Sequence, residues 1–409
     1  MGEYTVIQNG FVYTPKQAIE DGVVIFDRNG IVAVGNQDEM SQYLHGQNKV
    51  IDATDAIITP GFIEVHTHGG GGFALHTTAP EEIRSYARWI TSTGVTSFLI
   101  AIVGTPTSLP VAQLQTAVEV IEQHHATPGI GAEPLGIFLE GPYINVKRRG
   151  AHPSSWLRTP AEAETARILE LAKGYLRLVT LAPELPGAEQ MIRRLTDAGV
   201  TVSLGHSDAN YEQTQIAFQQ GITHVTHCFN AMRPLLHRDP GPIGAITQAE
   251  HVFGELIADG IHVHPAVMDI LVRILGPERI VAITDAQSCA GLAEGEAFEF
   301  AGQHLRVLDD AARLSDGTLA GSVLTTTKAL QNLLAYTHVT PSQAIGMLTS
   351  NPARSIKVAY RKGMLLPGYD ADLLIFDHAF QLQATICRGK VAFATDAWKT
   401  RLNTLRRGG

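Results

Sequence analysis

Pro60-Gly61-Phe62-Ile63-Glu64-Val65-His66-Thr67-His68-Gly69 decides how this 409-residue chain is read. Phe62 to Val65 is a short, mostly apolar run of the kind that makes a buried strand, and a His-x-His follows at its C-terminal end. Residues i and i+2 of an extended segment point to one face, so both imidazoles can converge on one point. Seven comparable runs follow: 97–103, 135–139, 176–181, 200–204, 223–226, 253–258 and 279–284. Helical patterns separate them. Ile83, Tyr86, Ala87 and Ile90 mark one apolar helix face. Thr159-Pro160-Ala161-Glu162 and Thr340-Pro341-Ser342-Gln343 each read as a capping box with proline at the first helical position, and the helix after the first is expected to end at Gly174. Eight strand–helix units predict an α/β fold, a (β/α)8 TIM barrel over residues 58–358. Gly69 to Gly72 opens no helix, so it is read as a flexible loop and not as the phosphate loop of a doubly wound sheet.

The two ends of the chain look alike. Tyr4 to Tyr13, Gly22 to Phe26 and Ile31 to Val34 are strand-like, with Asn29-Gly30 as a hairpin turn. Asp372 to Asp377, Ala384 to Cys387 and Lys390 to Phe393 repeat the pattern. Residues 1–57 and 359–409 are therefore expected to pair into one small β-sandwich domain, with the barrel inserted between them.

Composition narrows the function. The apolar fraction of 44% supports a sizeable core and excludes a disordered chain. The net charge is 31 − 40 = −9, which disfavours a nucleic-acid partner. No apolar run approaches the roughly 20 residues that span a bilayer, so no membrane partner is expected. Met1-Gly2-Glu3-Tyr4-Thr5-Val6 lacks the pattern of a secretory signal, and a cytoplasmic protein is expected. Cys228, Cys289 and Cys387 are odd in number and far apart, which argues against a disulfide framework.

A barrel of this kind carries its chemistry at the C-terminal ends of its strands. There the chain places His66 and His68, Glu140, His206, His227 and Asp285. A single histidine after a strand is ordinarily a hydrogen-bonded loop residue, and a single acid ordinarily caps a helix. Five of eight strand ends carrying such groups together read as a site for a divalent cation. Asn230, the backbone amide of Ala231, His262 and Arg238 lie past strands six and seven, and an arginine can hold a phosphate by two parallel bonds.

These segments resemble the amidohydrolase superfamily and, within it, the N-acetylglucosamine-6-phosphate deacetylases. The resemblance covers nearly the whole chain. It rests on the 60–69 stretch, Leu139-Glu140-Gly141-Pro142-Tyr143-Ile144-Asn145 with Gly150-Ala151-His152, and Gly205-His206-Ser207. It continues through Thr226-His227-Cys228-Phe229-Asn230-Ala231-Met232, Ala258-Asp259-Gly260-Ile261-His262, Thr284-Asp285-Ala286 and Leu319-Ala320-Gly321-Ser322. Many superfamily members bridge two metals with a carboxylated lysine after strand four, but Leu181-Ala182-Pro183-Glu184 has none. The resemblance implies Glu140, His206 and His227 as the main metal ligands and His66 and His68 as a second pair. The metal would be Zn, Fe, Mn or Co, one or two per subunit. It implies Asp285 as general base and acid, and His152 beside the acyl oxygen. Leu319, Ala320 and Gly321 would form a loop facing the acetyl group. The implied substrate is an amino-sugar phosphate, and the implied assembly is a homodimer in which Arg238 reaches the neighbouring active site. The galacto epimer of the substrate, another amidohydrolase reaction, and a non-catalytic barrel relative remain as alternatives.

The chain departs from the family pattern after Asp285. Gln287 and Ser288 stand where smaller or more apolar residues are expected. Cys289 is read as a buried neutral thiol, and Lys147-Arg148-Arg149 as a solvated basic run.

Overall fold

The computed structural model describes residues 4–403 apart from 16, 45–47, 107, 294 and 301. Met1 to Glu3, on which the reading of the N-terminus partly rests, lie outside the described residues. Eight parallel strands stand in sequence order: Phe62–Glu64, Val95–Val103, Glu133–Glu140, Leu176–Leu181, Thr201–Leu204, Ile222–Val225, Phe253–Ile257 and Ile280–Ile283. They are the eight runs expected from sequence. All nine residues of Val95–Val103 are buried, as a parallel strand covered on both faces requires. The first and eighth strands meet at their C-terminal ends. There the Asp285 amide donates to the His66 carbonyl at 2.9 Å, and the Thr284 amide to the Glu64 carboxylate at 3.1 Å. The barrel thus closes through the residues of the site.

Helix Pro80–Trp89 buries Ile83 and Tyr86, as its periodicity predicts. Thr340 caps helix Pro341–Leu348 with the expected reciprocal box. The box expected at Thr159 does not form. Ala161 stays extended (φ −130°, ψ 141°), so the helix runs Glu162–Ala172 and Thr159 is too far back to cap it. Lys173, in the left-handed region, ends the helix just before Gly174.

The Gly69–Gly72 stretch is held, not flexible. Gly69–Gly70 pairs antiparallel with Phe73–Ala74, and a Cβ on Gly70 would come within 2.2 Å of the Trp89 ring. Bonds from the amides of Gly71 and Gly72 to the carbonyls of Ala290 and Ser288 fix the rest.

Strands from the two chain ends come together. Thr5–Tyr13, Ala18–Asp27, Gly30–Asn36, Lys49–Asp52 and Ile57–Pro60 share one hydrogen-bonded sheet with Leu373–Phe376, Leu382–Cys387 and Lys390–Ala394. Strands from both ends bury one apolar core that includes Ile7, Val24, Ile58, Ile375 and Ile386. A buried ionic cluster ties this sheet to the barrel. Lys362 Nζ lies 2.8 Å from Glu133, at the start of the third barrel strand, and 2.7 Å from Asp372.

A four-stranded antiparallel sheet (Ala297–Phe300, Gln303–Leu308, Ala311–Leu314, Leu319–Ser322) follows the eighth barrel strand, and the sequence reading did not anticipate it. The Leu319–Ser322 segment is therefore a strand, not a loop. Its neighbour's hydrogen bonds hold it, and Ser322 bridges to Ala286 beside the site. Among the described residues no helix is long and apolar enough to cross a membrane. The three cysteines are buried and unpaired.

Candidate active site

Three of the strand ends use one local device. His206, His227 and Asp285 each lie two residues past the last residue of their strand, at Leu204, Val225 and Ile283. Each takes a left-handed backbone, with φ of 48°, 28° and 48°. That conformation is costly for a residue with a side chain and is characteristic of functional sites. It turns the side chain inward over the barrel mouth instead of letting the strand continue.

The inward groups converge on Glu140, at the end of the third strand. Glu140 Oε1 lies 3.2 Å from Nε2 of His206 and 3.4 Å from Nε2 of His227. Its Oε2 lies 3.2 Å from Nε2 of His68 and 3.6 Å from Nε2 of His152. Asp285 Oδ1 lies 3.4 Å from His66 and 3.2 Å from His68. All seven groups are buried.

Outer contacts fix how the rings point. Nδ1 of His66 donates to Glu255 Oε2 at 2.8 Å, and Nδ1 of His206 donates to the Arg148 carbonyl at 2.8 Å. In the neutral rings the protons sit on those nitrogens, so both Nε2 lone pairs face Glu140. Nε2 of His206 then stands 3.0 Å from Nε2 of His227, and Nε2 of His66 is buried without a hydrogen-bond partner. Nitrogens this close beside a carboxylate need a shared proton or a metal cation among them. Imidazole and carboxylate donors, with His66 and His206 each anchored to an oxygen through Nδ1, are the usual ligand set of a divalent metal.

Electrostatics agrees. Burial alone would lower the pKa of His66, but Glu255, Asp285 and Glu140 outweigh it and raise it to about 10. His68, raised by Asp285 and Glu140, reaches about 9 despite burial. A cluster that attracts protons so strongly is equally a place for a metal ion, which displaces them. Glu140 is held well below the usual carboxylate range: burial pushes it up, but His66, His152, His206 and His227 prevail. Asp285 is likewise held low against burial by His66 and His68, so it stays ionised near neutral pH.

A pocket of about 270 Å³ opens onto this cluster. His68, Glu140, His152, His206, His227, Asn230, Ala231, His262, Asp285, Leu319, Ala320 and Gly321, all expected at the site, line it. His66 lies beneath it, fully buried. Arg238 does not line it and is exposed on the surface segment after Ala231. His262 Nδ1 donates to Asp259 Oδ2 at 2.6 Å, and this carboxylate outweighs burial to hold His262 above the usual histidine range.

Several residues that build the site escaped the sequence reading. Glu255 also accepts from His224 Nε2 and from the His227 amide, both at 3.0 Å. Glu64 accepts from the amides of His66 and Thr284, and burial lifts its pKa to about 7. Glu184 receives Ser207 Oγ and the Asp208 amide, both at 2.6 Å, and so pins the turn that carries His206. The basic run is more than a solvated face. Arg148 pairs with Asp208 at 2.8 Å while its carbonyl orients His206. Cys289 is a buried thiol, as expected, with its pKa pushed up to about 12 by burial.

Known proteins share this sequence and architecture. An N-acetylgalactosamine-6-phosphate deacetylase of Escherichia coli O157:H7 is 38% identical over 82% of this chain and 88% of its own length. An N-acetylglucosamine-6-phosphate deacetylase of Bacillus subtilis is 33% identical over 96% of this chain and 98% of its own. The solved structure of N-acetyl-D-glucosamine-6-phosphate deacetylase from Mycobacterium smegmatis, in complex with N-acetyl-D-glucosamine-6-phosphate, superposes with a TM-score of 0.87 at 30% identity. It covers 96% of this chain and 100% of that one. A model of the Amidohydrolase family matches residues 57–392, and the chain belongs to that family.

Proposed function

We propose that the chain hydrolyses the N-acetyl group of N-acetylglucosamine 6-phosphate, releasing acetate and glucosamine 6-phosphate. The observation that carries this reading is the convergence of Glu140, His206 and His227 with the ionised Asp285 on one pocket. The B. subtilis and M. smegmatis relatives supply the substrate class.

Glu140, His206 and His227 would hold a divalent ion, Zn, Fe, Mn or Co. His66 and His68, with the carboxylates they share, would hold a second. Such an ion supplies Lewis acidity, which lowers the pKa of water towards about 7. Asp285 takes a proton from the attacking water as its oxygen bonds to the acyl carbon. It then delivers that proton to the nitrogen as the C–N bond breaks. His152 faces the acyl oxygen and offsets the charge it gains. Leu319, Ala320 and Gly321 border the acetyl group.

The phosphate would be met by Asn230, the Ala231 amide and His262, whose pairing with Asp259 favours its cationic form. Arg238, exposed in the single chain, would complete that subsite across a homodimer. Residues 58–358 would form the catalytic unit, and 1–57 with 359–409 its scaffold. Three reduced thiols fit a cytoplasmic setting.

The 38% identity to the E. coli enzyme favours a second reading, in which the preferred substrate is the galacto epimer. Comparing kcat/KM for the two epimers decides between them. A higher value for the gluco compound supports the first reading, and a higher value for the galacto compound replaces it with the second while leaving the chemistry unchanged.

A further inference from the structure

Gln287 is 2% exposed, lines the active-site pocket, and no described residue hydrogen-bonds its side-chain amide. Its amide borders the pocket, where water or a bound ligand can match it. Its backbone is rigidly placed. The Ala286 carbonyl accepts from the amides of His68 and Gly69, and the Gln287 amide donates to Ser322 at 2.9 Å while the Ser322 amide donates to Asp285 at 2.8 Å. Asp285 and Gln287 are two residues apart on a segment bridged in parallel to Ser322 at Ala286, and both line the pocket. Room for the amide comes from Gly321. A Cβ there would stand 2.9 Å from Cγ and Nε2 of Gln287. Gly321 also needs its left-handed φ of 73°, so the vacant volume is built into the strand.

We propose that Gln287 is a specificity-determining residue whose amide hydrogen-bonds a substrate hydroxyl adjacent to the scissile amide. This rests on the deacetylase reading above. The candidate hydroxyls are two: the ring hydroxyl on C3, beside the nitrogen-bearing carbon and away from the anomeric centre, and a hydroxyl on the acyl group itself. A side chain that merely fills the space over Gly321 would read neither.

The test compares the metal-loaded wild type with Gln287→Met on three substrates. These are N-acetylglucosamine 6-phosphate, its 3-deoxy analogue, and N-glycolylglucosamine 6-phosphate. The expected loss in kcat/KM is about tenfold wherever the recognised hydroxyl is present, the size of one lost hydrogen bond. A ring hydroxyl is identified if the acetyl and glycolyl substrates fall alike and the 3-deoxy analogue does not. It also predicts weaker binding of glucosamine 6-phosphate by calorimetry. An acyl hydroxyl is identified if only the glycolyl substrate falls and product binding is unchanged. Equal loss on all three substrates, or none on any, overturns the proposal. Gln287→Ala, which removes the amide without an apolar tip, must give the same pattern and serves if the methionine variant does not fold. Wild-type turnover separates the two claims. If the wild type turns over no amino-sugar phosphate, the deacetylase reading fails and takes this one with it. If it does and the variants show no selective loss, only the role of Gln287 fails.

Discussion

Glu255 Oε2 lies 2.8 Å from Nδ1 of His66, at the centre of the barrel and without exposure to solvent. One carboxylate thereby fixes His66, accepts from His224, and holds the backbone amide of His227. It sets the direction of two rings from two strands. Glu255→Gln keeps the shape but offers one acceptor oxygen in place of two. Metal affinity, measured by competition with a chelator, is expected to fall about 10- to 100-fold. Unchanged affinity would show that these rings need no such anchor.

Asp285 tests the proton transfer. Asp285→Asn preserves size and removes the base, so kcat is expected to fall by about 10²–10⁴ while metal content and product binding persist. Near-normal turnover would remove Asp285 from its role.

Arg238 tests the phosphate subsite. Arg238→Ala is expected to raise KM for the phosphorylated substrate about tenfold, with kcat little changed. The same variant should leave KM for the unphosphorylated sugar as it was. Sedimentation measurements on the wild type should give a dimer. A monomer with full activity would contradict an arginine supplied by a neighbour.

The cluster around Lys362 sets a pH dependence of stability. Burial would raise the pKa of Glu133, but Lys362 and Arg361 outweigh it and hold the acid far below its ordinary 4.5. Its contribution is complete above about pH 4.5 and is lost as pH falls towards the folded value. Lys362 is 1% exposed. Burial would lower its pKa, but Asp372, Glu133 and Asp370 raise it above its ordinary 10.5. That contribution is complete below about pH 10.5 and is lost as pH rises through the folded value. Lys362→Met removes the buried cation shared by Glu133, Asp370 and Asp372, leaves Arg361 on the first two and, among the described residues, no side-chain cation on Asp372, and is expected to cost about 3–5 kcal/mol at pH 7. In denaturant titrations the deficit should shrink below about pH 4.5, where the acids protonate. A deficit independent of pH would refute the electrostatic account.

The barrel was legible because its strands are unbroken apolar runs separated by periodic helices. The site was legible because polar groups interrupt those runs at one end. What escaped reading has physical reasons. Glu64 and Glu255 sit inside apolar stretches, where an acid gives no sign of which rings it will meet; their placement within buried strands was the available signal. The left-handed positions themselves, His206, His227 and Asp285, are not glycines, so composition does not announce them. The sheet after the eighth strand is built from short, partly exposed strands, such as Leu319–Ser322, whose pattern is too brief to stand out. The Thr159 box failed because Ala161 stayed extended, a tertiary choice that local chemistry does not dictate. The glycine run read as mobile because its partner, Trp89, is distant in sequence.

The most direct measurement is acetate release by the metal-loaded protein from N-acetylglucosamine 6-phosphate, run beside unphosphorylated N-acetylglucosamine. Burst-free, stoichiometric release of acetate and amino sugar, with kcat/KM at least about 10²-fold higher for the phosphorylated compound, is predicted from the phosphate contacts proposed for His262 and Arg238. No release from either sugar with metal bound would contradict the central claim, and equal rates on both would contradict the phosphate subsite.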